Sequence, residues 1–230
     1  MVRFAVVAAV ALARVQAAEF DVGTGAYNKA GLAGRVFGKF GKFENHCLAQ
    51  WIADYFLGLK PNATVVELGA GIGNYARYMT TREFGWVDCS DGNAAIGEAT
   101  RGLCKTRNLV EPQLDLRRGD FAYCLEVAEH IPAQFQATFL DNLDRANKEG
   151  IVLSWSNSQC ADAKSKAPQQ HVSCKTKEQV LELMHGRGYV HQPGAEAAVR
   201  NATAQCRQAP WLRETVMVFA RRKHTKKHER

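Results

Sequence analysis

Two stretches of this 230-residue sequence concentrate side chains that do chemistry. The first is Glu126-Val-Ala-Glu129-His130-Ile-Pro132. In a helical turn, positions i, i+3 and i+4 share a face. That spacing would gather two carboxylates and an imidazole, a costly concentration of negative charge without a cation. Oxygen ligands with imidazole suit Mg²⁺, Mn²⁺ or a similar divalent ion. His171, beyond a long polar loop, is a fourth candidate ligand. If no metal binds, His130 or His171 is the candidate general base, because imidazole titrates near neutral pH. Contact with a cofactor, or a plain helix cap, are the other readings of the cluster.

The second stretch is Glu67-Leu-Gly69-Ala-Gly71-Ile-Gly73, between a short apolar run and a helical one. Glycine lets the backbone turn sharply and approach a ligand with no Cβ in the way. The carboxyl end of a parallel sheet is where such ligands bind. The dinucleotide fingerprint G-x-G-x-x-G needs a glycine where this chain has Asn74, so NAD fits poorly. An acid closing the next strand would accept both hydroxyls of a ribose. Asp91, at a strand-to-helix junction, is the first choice and Asp88, inside the strand, the second. Asp91 also fits a simple helix N-cap.

The elements that must position these residues follow from periodicity. Leu48, Trp51, Ile52, Tyr55, Phe56 and Leu59 recur at helical spacing over 44–59, and Pro61 ends that helix. Strands are expected at 64–68, 84–90, 121–126, 150–155, 188–192 and 213–220. Helices are expected at 74–80, from Asp91, after Pro132, at 176–186 and at 195–207, with a polar loop over 156–173. Strands alternating with helices imply an α/β chain whose mostly parallel sheet is covered on both faces. The last two strands read as an edge hairpin.

Composition bounds the rest. Hydrophobic residues are 46% and charged residues 23%, ordinary for a globular protein. The net charge is +7, but residues 221–230 hold six Lys/Arg against one Glu, and Arg3 and Arg14 add two more. The remainder is near neutral, which argues against a nucleic-acid partner. Residues 1–17 read as a signal peptide cut near Ala17. That implies the secretory pathway or an organelle reached through it; without the leader, the cytoplasm. The apolar run is too short for a membrane span and Arg14 interrupts it. Seven cysteines, an odd number without a CxxC, read as buried thiols. Asn62-Ala-Thr64 and Asn201-Ala-Thr203 are glycosylation sequons.

With the glycine loop, the following acid and Leu-Glu-Val-Ala-Glu-His-Ile-Pro together, residues 60–220 resemble the class I S-adenosylmethionine-dependent methyltransferases. The resemblance implies a Rossmann-like, mostly parallel seven-stranded sheet with a C-terminal antiparallel edge strand, filling 61–220. It implies S-adenosylmethionine as cofactor, its methionine end lined by Glu67, Gly69, Gly71 and Gly73, with Glu126 a further cofactor contact. Asp91 or Asp88 would take the ribose, and Asn108-Leu109 the adenine, where the family more often has Asp-Leu. The Glu126, Glu129, His130 and His171 set resembles the metal site of small-RNA 2′-O-methyltransferases and quinone-biosynthesis O-methyltransferases. Residues 18–60 would form a lid and helix, with Tyr27, Trp155 and Trp211 as substrate-lining candidates. The expected acceptor is a small molecule. Three runs, among them Gly-Ile-Val-Leu-Ser-Trp155, resemble a eukaryotic and algal group of small-molecule methyltransferases, a group similar to algal enzymes that methylate the thioether of 4-methylthio-2-hydroxybutyrate on the route to dimethylsulfoniopropionate. Metal-assisted O-methylation of a small molecule or of an RNA ribose is the alternative.

Overall fold

A computed structural model describes residues 20–21, 26–27, 45–158 and 171–222. The leader, most of the expected lid and residues 223–230 lie outside the described residues. Phe20–Asp21 (β1) and Ala26–Tyr27 (β2) form a short antiparallel pair.

His46–Leu59 forms α1, at the place the periodicity indicates. Asn45 caps it: its side-chain oxygen accepts the Leu48 amide at 2.9 Å, satisfying one of the orphan donors of the first turn. The chain then alternates. Thr64–Leu68 is β3, Asn74–Met79 α2, Trp86–Asp91 β4, Ile96–Ala99 α3, Lys105–Thr106 β5 and Gly119–Cys124 β6. Gln136–Arg145 is α4, Asn147–Ser154 β7, Lys177–Gly186 α5, Tyr189–His191 β8, Pro193–Thr203 α6, Leu212–Thr215 α7 and Val216–Arg221 β9. The helix expected from Asp91 is therefore shorter and starts later. The last strand starts at Val216, because Pro210 and Trp211 carbonyls close a helical turn with the Arg213 and Glu214 amides.

Seven strands form one sheet in the order β5-β4-β3-β6-β7-β9-β8. β5, β4, β3, β6 and β7 are parallel neighbours, and β9 runs antiparallel to both β7 and β8. The expected C-terminal antiparallel strand is β9, and the short β8 borders it. Period-two alternation splits the strands between two cores. Val65, Phe121, Tyr123 and Val152 pack on α1 and α6 through Leu48, Ile52, Phe56 and Val199. Val66, Ala122, Cys124 and Ile151 pack on α4 and α5 through Phe139, Leu143, Val180 and Met184. Burying each such side chain contributes about 1.5–3 kcal/mol. The glycine turn, Asp91, the Glu126–His130 turn and Trp155 lie at the carboxyl ends of β3, β4, β6 and β7.

The cysteines correct the sequence reading. Cys47 is bonded to Cys206 and Cys89 to Cys104, and Cys174 is disulfide-bonded as well. Cys124 is a buried free thiol. Cys89 sits inside a strand as expected, but the α3–β5 loop brings Cys104 against it; a pairing of this kind has no local signature. No helix among the described residues is long and apolar enough to cross a membrane.

Candidate functional site

The turn after β3 is shaped by three glycines in the left-handed region, Gly69 (φ +82°), Gly71 (φ +55°) and Gly73 (φ +73°). The Gly69 and Ala70 amides donate to the Ser90 carbonyl at 2.8 and 3.0 Å, which ties the turn to the end of β4. The glycines have different reasons to be there. A Cβ on Gly69 would lie 2.1 Å from Val127 Cγ2, and one on Gly73 2.6 Å from Thr100 Cγ2. Around Gly71 a Cβ would meet nothing within 4 Å. Gly69 and Gly73 admit the protein's own side chains, while Gly71 is exposed and leaves its backbone open to solvent.

Asp91 closes β4 beside that space. Its Oδ2 accepts the Gly71 amide at 2.8 Å and its Oδ1 the Asn93 amide at 2.9 Å. Burial pushes its pKa up, and the two amides pull it back. Each oxygen keeps a second lone pair for a ligand hydroxyl. Asp88 points elsewhere: it is buried and paired with Arg107 at 3.1 Å. Glu67 is buried on β3 and accepts the Tyr123 hydroxyl at 3.0 Å. Asn108 is exposed, and its side-chain oxygen accepts the Val110 amide at 3.2 Å. Leu109 packs into the α4-side core, its carbonyl held by Asn142.

The acid–histidine stretch does not form the helical face its spacing implies. Glu126 follows β6 with φ +55°, and only Ala128–His130 make a 3-10 turn. A non-glycine residue there stores roughly 1 kcal/mol or more and persists where neighbours hold it. Two do: the Glu126 amide donates to Ser154 Oγ at 2.7 Å, and Thr215 Oγ1 donates to Glu126 Oε1 at 2.8 Å. Burial raises the Glu126 pKa against these bonds and the nearby His171.

Glu129 has no exposed surface, and neither carboxylate oxygen makes a hydrogen bond of ordinary geometry among the described residues. Burial, and then the charge of Glu126, lift its pKa well above the ordinary range, against a weaker pull from the Glu129 and Ser156 amides. Its carbonyl accepts the Val172 and Ser173 amides, both at 2.9 Å, which pins the end of the polar loop to this turn. His171 thereby arrives beside His130, their rings edge to face at 4.8 Å. His171 Nδ1 lies 2.7 Å from the Ser158 carbonyl, so Nδ1 donates there and in the neutral ring Nε2 carries the lone pair. The ligand atoms of Glu129, His130 and His171 lie within 4.8 Å of one another. Glu126 is outside this group, held by Thr215. A buried carboxylate without hydrogen bonds is costly as an anion unless a cation balances it. Together with two imidazoles, that donor set fits a divalent ion.

Of the substrate candidates, Trp155 is buried, its Nε1 donating to the Ser173 carbonyl at 2.8 Å. Trp211 is 39% exposed beside α7. Tyr27 contributes backbone to β2, and its side chain lies outside the described residues. The sequence reading missed Ser154, Thr215 and Ser158. Ser154 pairs with Val216 across the sheet, so Thr215 meets Glu126 from 89 residues away and leaves no local signal.

No protein-family model matches the sequence, and no curated protein matches it. Solved structures do. A sugar N-methyltransferase from Streptoalloteichus superposes with a TM-score of 0.59 at 13% identity, over 82% of this chain and 92% of that one. Magnesium protoporphyrin IX methyltransferase from Synechocystis, with bound S-adenosylhomocysteine, gives 0.53 at 13%, over 78% and 84%. A putative sarcosine dimethylglycine methyltransferase from Galdieria sulphuraria gives 0.52 at 16%, over 77% and 84%. At these identities the likeness is one of architecture: the chain has the Rossmann-like fold of the class I methyltransferases.

Proposed function

We propose that this protein is an S-adenosylmethionine-dependent methyltransferase acting on a small molecule. The observation that carries the reading is the Gly69–Gly73 turn, whose Gly71 amide is held by the Asp91 carboxylate where a Cβ would meet no other atom. In this reading the Gly69–Gly73 turn receives the methionine end of the cofactor and Asp91 orients its ribose. Bound S-adenosylmethionine supplies an already activated sulfonium methyl group, so the protein's work is positioning and exclusion of water. Glu129, His130 and His171 Nε2 would hold Mg²⁺ or Mn²⁺, which would balance Glu129 and acidify an acceptor hydroxyl. The fixed Nδ1 proton of His171 favours a second reading, in which His171 Nε2 takes the acceptor proton itself.

The acceptor we favour carries adjacent oxygens. A 2-hydroxy acid such as 4-methylthio-2-hydroxybutyrate would present them, and the sequence resemblance supports it; its thioether would need no base. A ribose hydroxyl would present a similar pair, but the near-neutral chain between leader and tail speaks against RNA. We also place the mature protein behind a membrane, in an oxidising compartment. The disulfides support this, since reducing cytosol keeps thiols free.

Calorimetry on the oxidised chain tests the cofactor. S-adenosylhomocysteine should bind and NAD should not, and Gly71→Val, folded by circular dichroism, should lose binding. Folded wild type that fails to bind S-adenosylhomocysteine refutes the reading. A screen of acceptors with labelled S-adenosylmethionine, with and without chelator, then separates cation from histidine base.

A further inference from the structure

Two sequons, Asn62-Ala-Thr64 and Asn201-Ala-Thr203, take no part in the site described above. Both asparagines are exposed. The fold places them at opposite ends of α1, a helix of 14 residues and about 21 Å. Asn201 lies in the last turn of α6, where the Thr203 carbonyl accepts Asn45 Nδ2 at 3.2 Å. The Asn45 amide donates to the Tyr75 hydroxyl at 3.0 Å, and Tyr75 follows the glycine turn. That end of α1 therefore lies on the side of the proposed cofactor site.

Asn62 is at the far end, between α1 and β3. The Lys60 ammonium beside it pairs with Asp120, at the start of β6, at 2.6 Å. Both strands begin here, and β3 takes five residues, about 16 Å, to reach the glycine turn. The Ala63 amide donates to the Lys60 carbonyl at 3.2 Å, and buried Ala63 anchors the turn in the core under α1. Asn62 takes φ +54°, a left-handed conformation that asparagine adopts more readily than most residues with a Cβ. Leu59, three residues earlier, is 57% exposed, the most of any large apolar side chain among the described residues. Ala63, not proline, separates Asn62 from Thr64, as the modification requires. The Cys47–Cys206 and Cys89–Cys104 bonds fit an oxidising lumen, where such transfer takes place.

We propose that Asn62 carries an N-linked glycan. The Asn62 amide nitrogen attacks the anomeric carbon of an oligosaccharide carried on a lipid pyrophosphate. The N–C bond forms as the C–O bond to the pyrophosphate breaks; the lipid pyrophosphate leaves and the amide gives up one proton. Transfer precedes folding, so the bond from Thr64 Oγ1 to Asp120 at 2.7 Å, made only once β3 and β6 pair, does not occupy the hydroxyl. After folding the glycan stands at the amino edge of the sheet and shades Leu59, clear of cofactor and acceptor. The assignment rests on the oxidising-compartment reading and is independent of the methyltransferase one.

The test expresses the full chain with its own leader in a eukaryotic secretory host and treats the secreted protein with peptide-N-glycosidase. Wild type should lose mass, and peptide mass spectrometry should find the amide at position 62 converted to a carboxylate. Asn62→Asp, which keeps a residue tolerant of the left-handed turn, should lack that glycan, whereas Asn201→Asp should retain it. S-adenosylhomocysteine affinity should agree within about twofold before and after deglycosylation; a larger change would put the glycan against the site and overturn its placement. Peptide mapping of wild type decides even if Asn62→Asp is not secreted. Secreted wild type with Asn62 unmodified, or with a glycan on Asn201 alone, overturns the proposal. A chain held in the cytosol with its leader uncut overturns the compartment reading instead, and the glycan falls with it.

Discussion

Replacing Glu129 by glutamine should make the chelator-treated protein less sensitive to rising pH. The ordinary glutamate pKa is 4.5, and in the folded chain burial and the neighbouring Glu126 hold that of Glu129 well above it. Between the two values the folded state keeps a proton that the unfolded chain has released, so stability falls as pH rises. It stops falling only above the folded pKa. Each pH unit inside that window costs about 1.4 kcal/mol. Each such unit amounts to roughly 3–6 °C of melting temperature for a chain of this length. The glutamine side chain would copy the shape of the neutral acid and cannot ionise, so the profile of Glu129→Gln should be flatter. Glu126 shifts in the same direction and leaves a smaller residual slope. Urea unfolding at several pH values from 5 to 8, in chelator, measures both slopes. Adding Mn²⁺ should then stabilise wild type more at pH 8 than at pH 5 and leave Glu129→Gln unmoved. Parallel slopes for the two proteins would refute the claim that an uncompensated carboxylate is buried here. Unequal slopes with no response to Mn²⁺ would retain the buried acid and dismiss the cation.

Gly69→Ala should destabilise by about 2–3 kcal/mol, because its Cβ meets Val127 in a left-handed backbone. Gly71→Ala should cost about 1 kcal/mol of backbone strain and show its main loss in S-adenosylhomocysteine affinity; thermal unfolding and calorimetry separate the two. Asp91→Asn should weaken S-adenosylhomocysteine binding by about tenfold, whereas Asp88→Asn, which only releases Arg107, should leave that affinity within about twofold. Removing the Cys89–Cys104 bond as a double alanine variant should lower unfolding free energy by about 3 kcal/mol, the order expected for a closed loop of that length. Denaturant titration of the oxidised variant checks it.

The sheet was legible in the sequence wherever the signal was local. β3, its glycine turn and α2 follow from a short apolar run, three glycines and helical spacing. Alternation also separates Asp88 from Asp91, since residues three apart on a strand face opposite sides, and only one of them meets the glycine turn. The disulfides were illegible because their partners are set by the packing of separate elements. Cys47 and Cys206 are 159 residues apart and meet only because α1 and α6 share one face of the sheet. At Asn108 and Leu109, which only the family resemblance singles out, Asn108 Oδ1 engages its own turn and Leu109 faces the core.

The acid–histidine turn shows why spacing alone misplaces such a site. Glu126, Glu129 and His130 at i, i+3 and i+4 would share a face only if the backbone were helical from Glu126 onward. The left-handed conformation of Glu126 breaks that register and sends its carboxylate to Thr215, while Glu129 turns inward toward His171. The conformation is tenable because β7 supplies the Ser154 hydroxyl for the Glu126 amide and β9 begins beside Thr215. The second support depends on β9 pairing with β7, the one antiparallel addition to the parallel core. The geometry of the turn therefore belongs to the C-terminal strand as much as to the motif. It follows that Thr215 should govern the placement of Glu126.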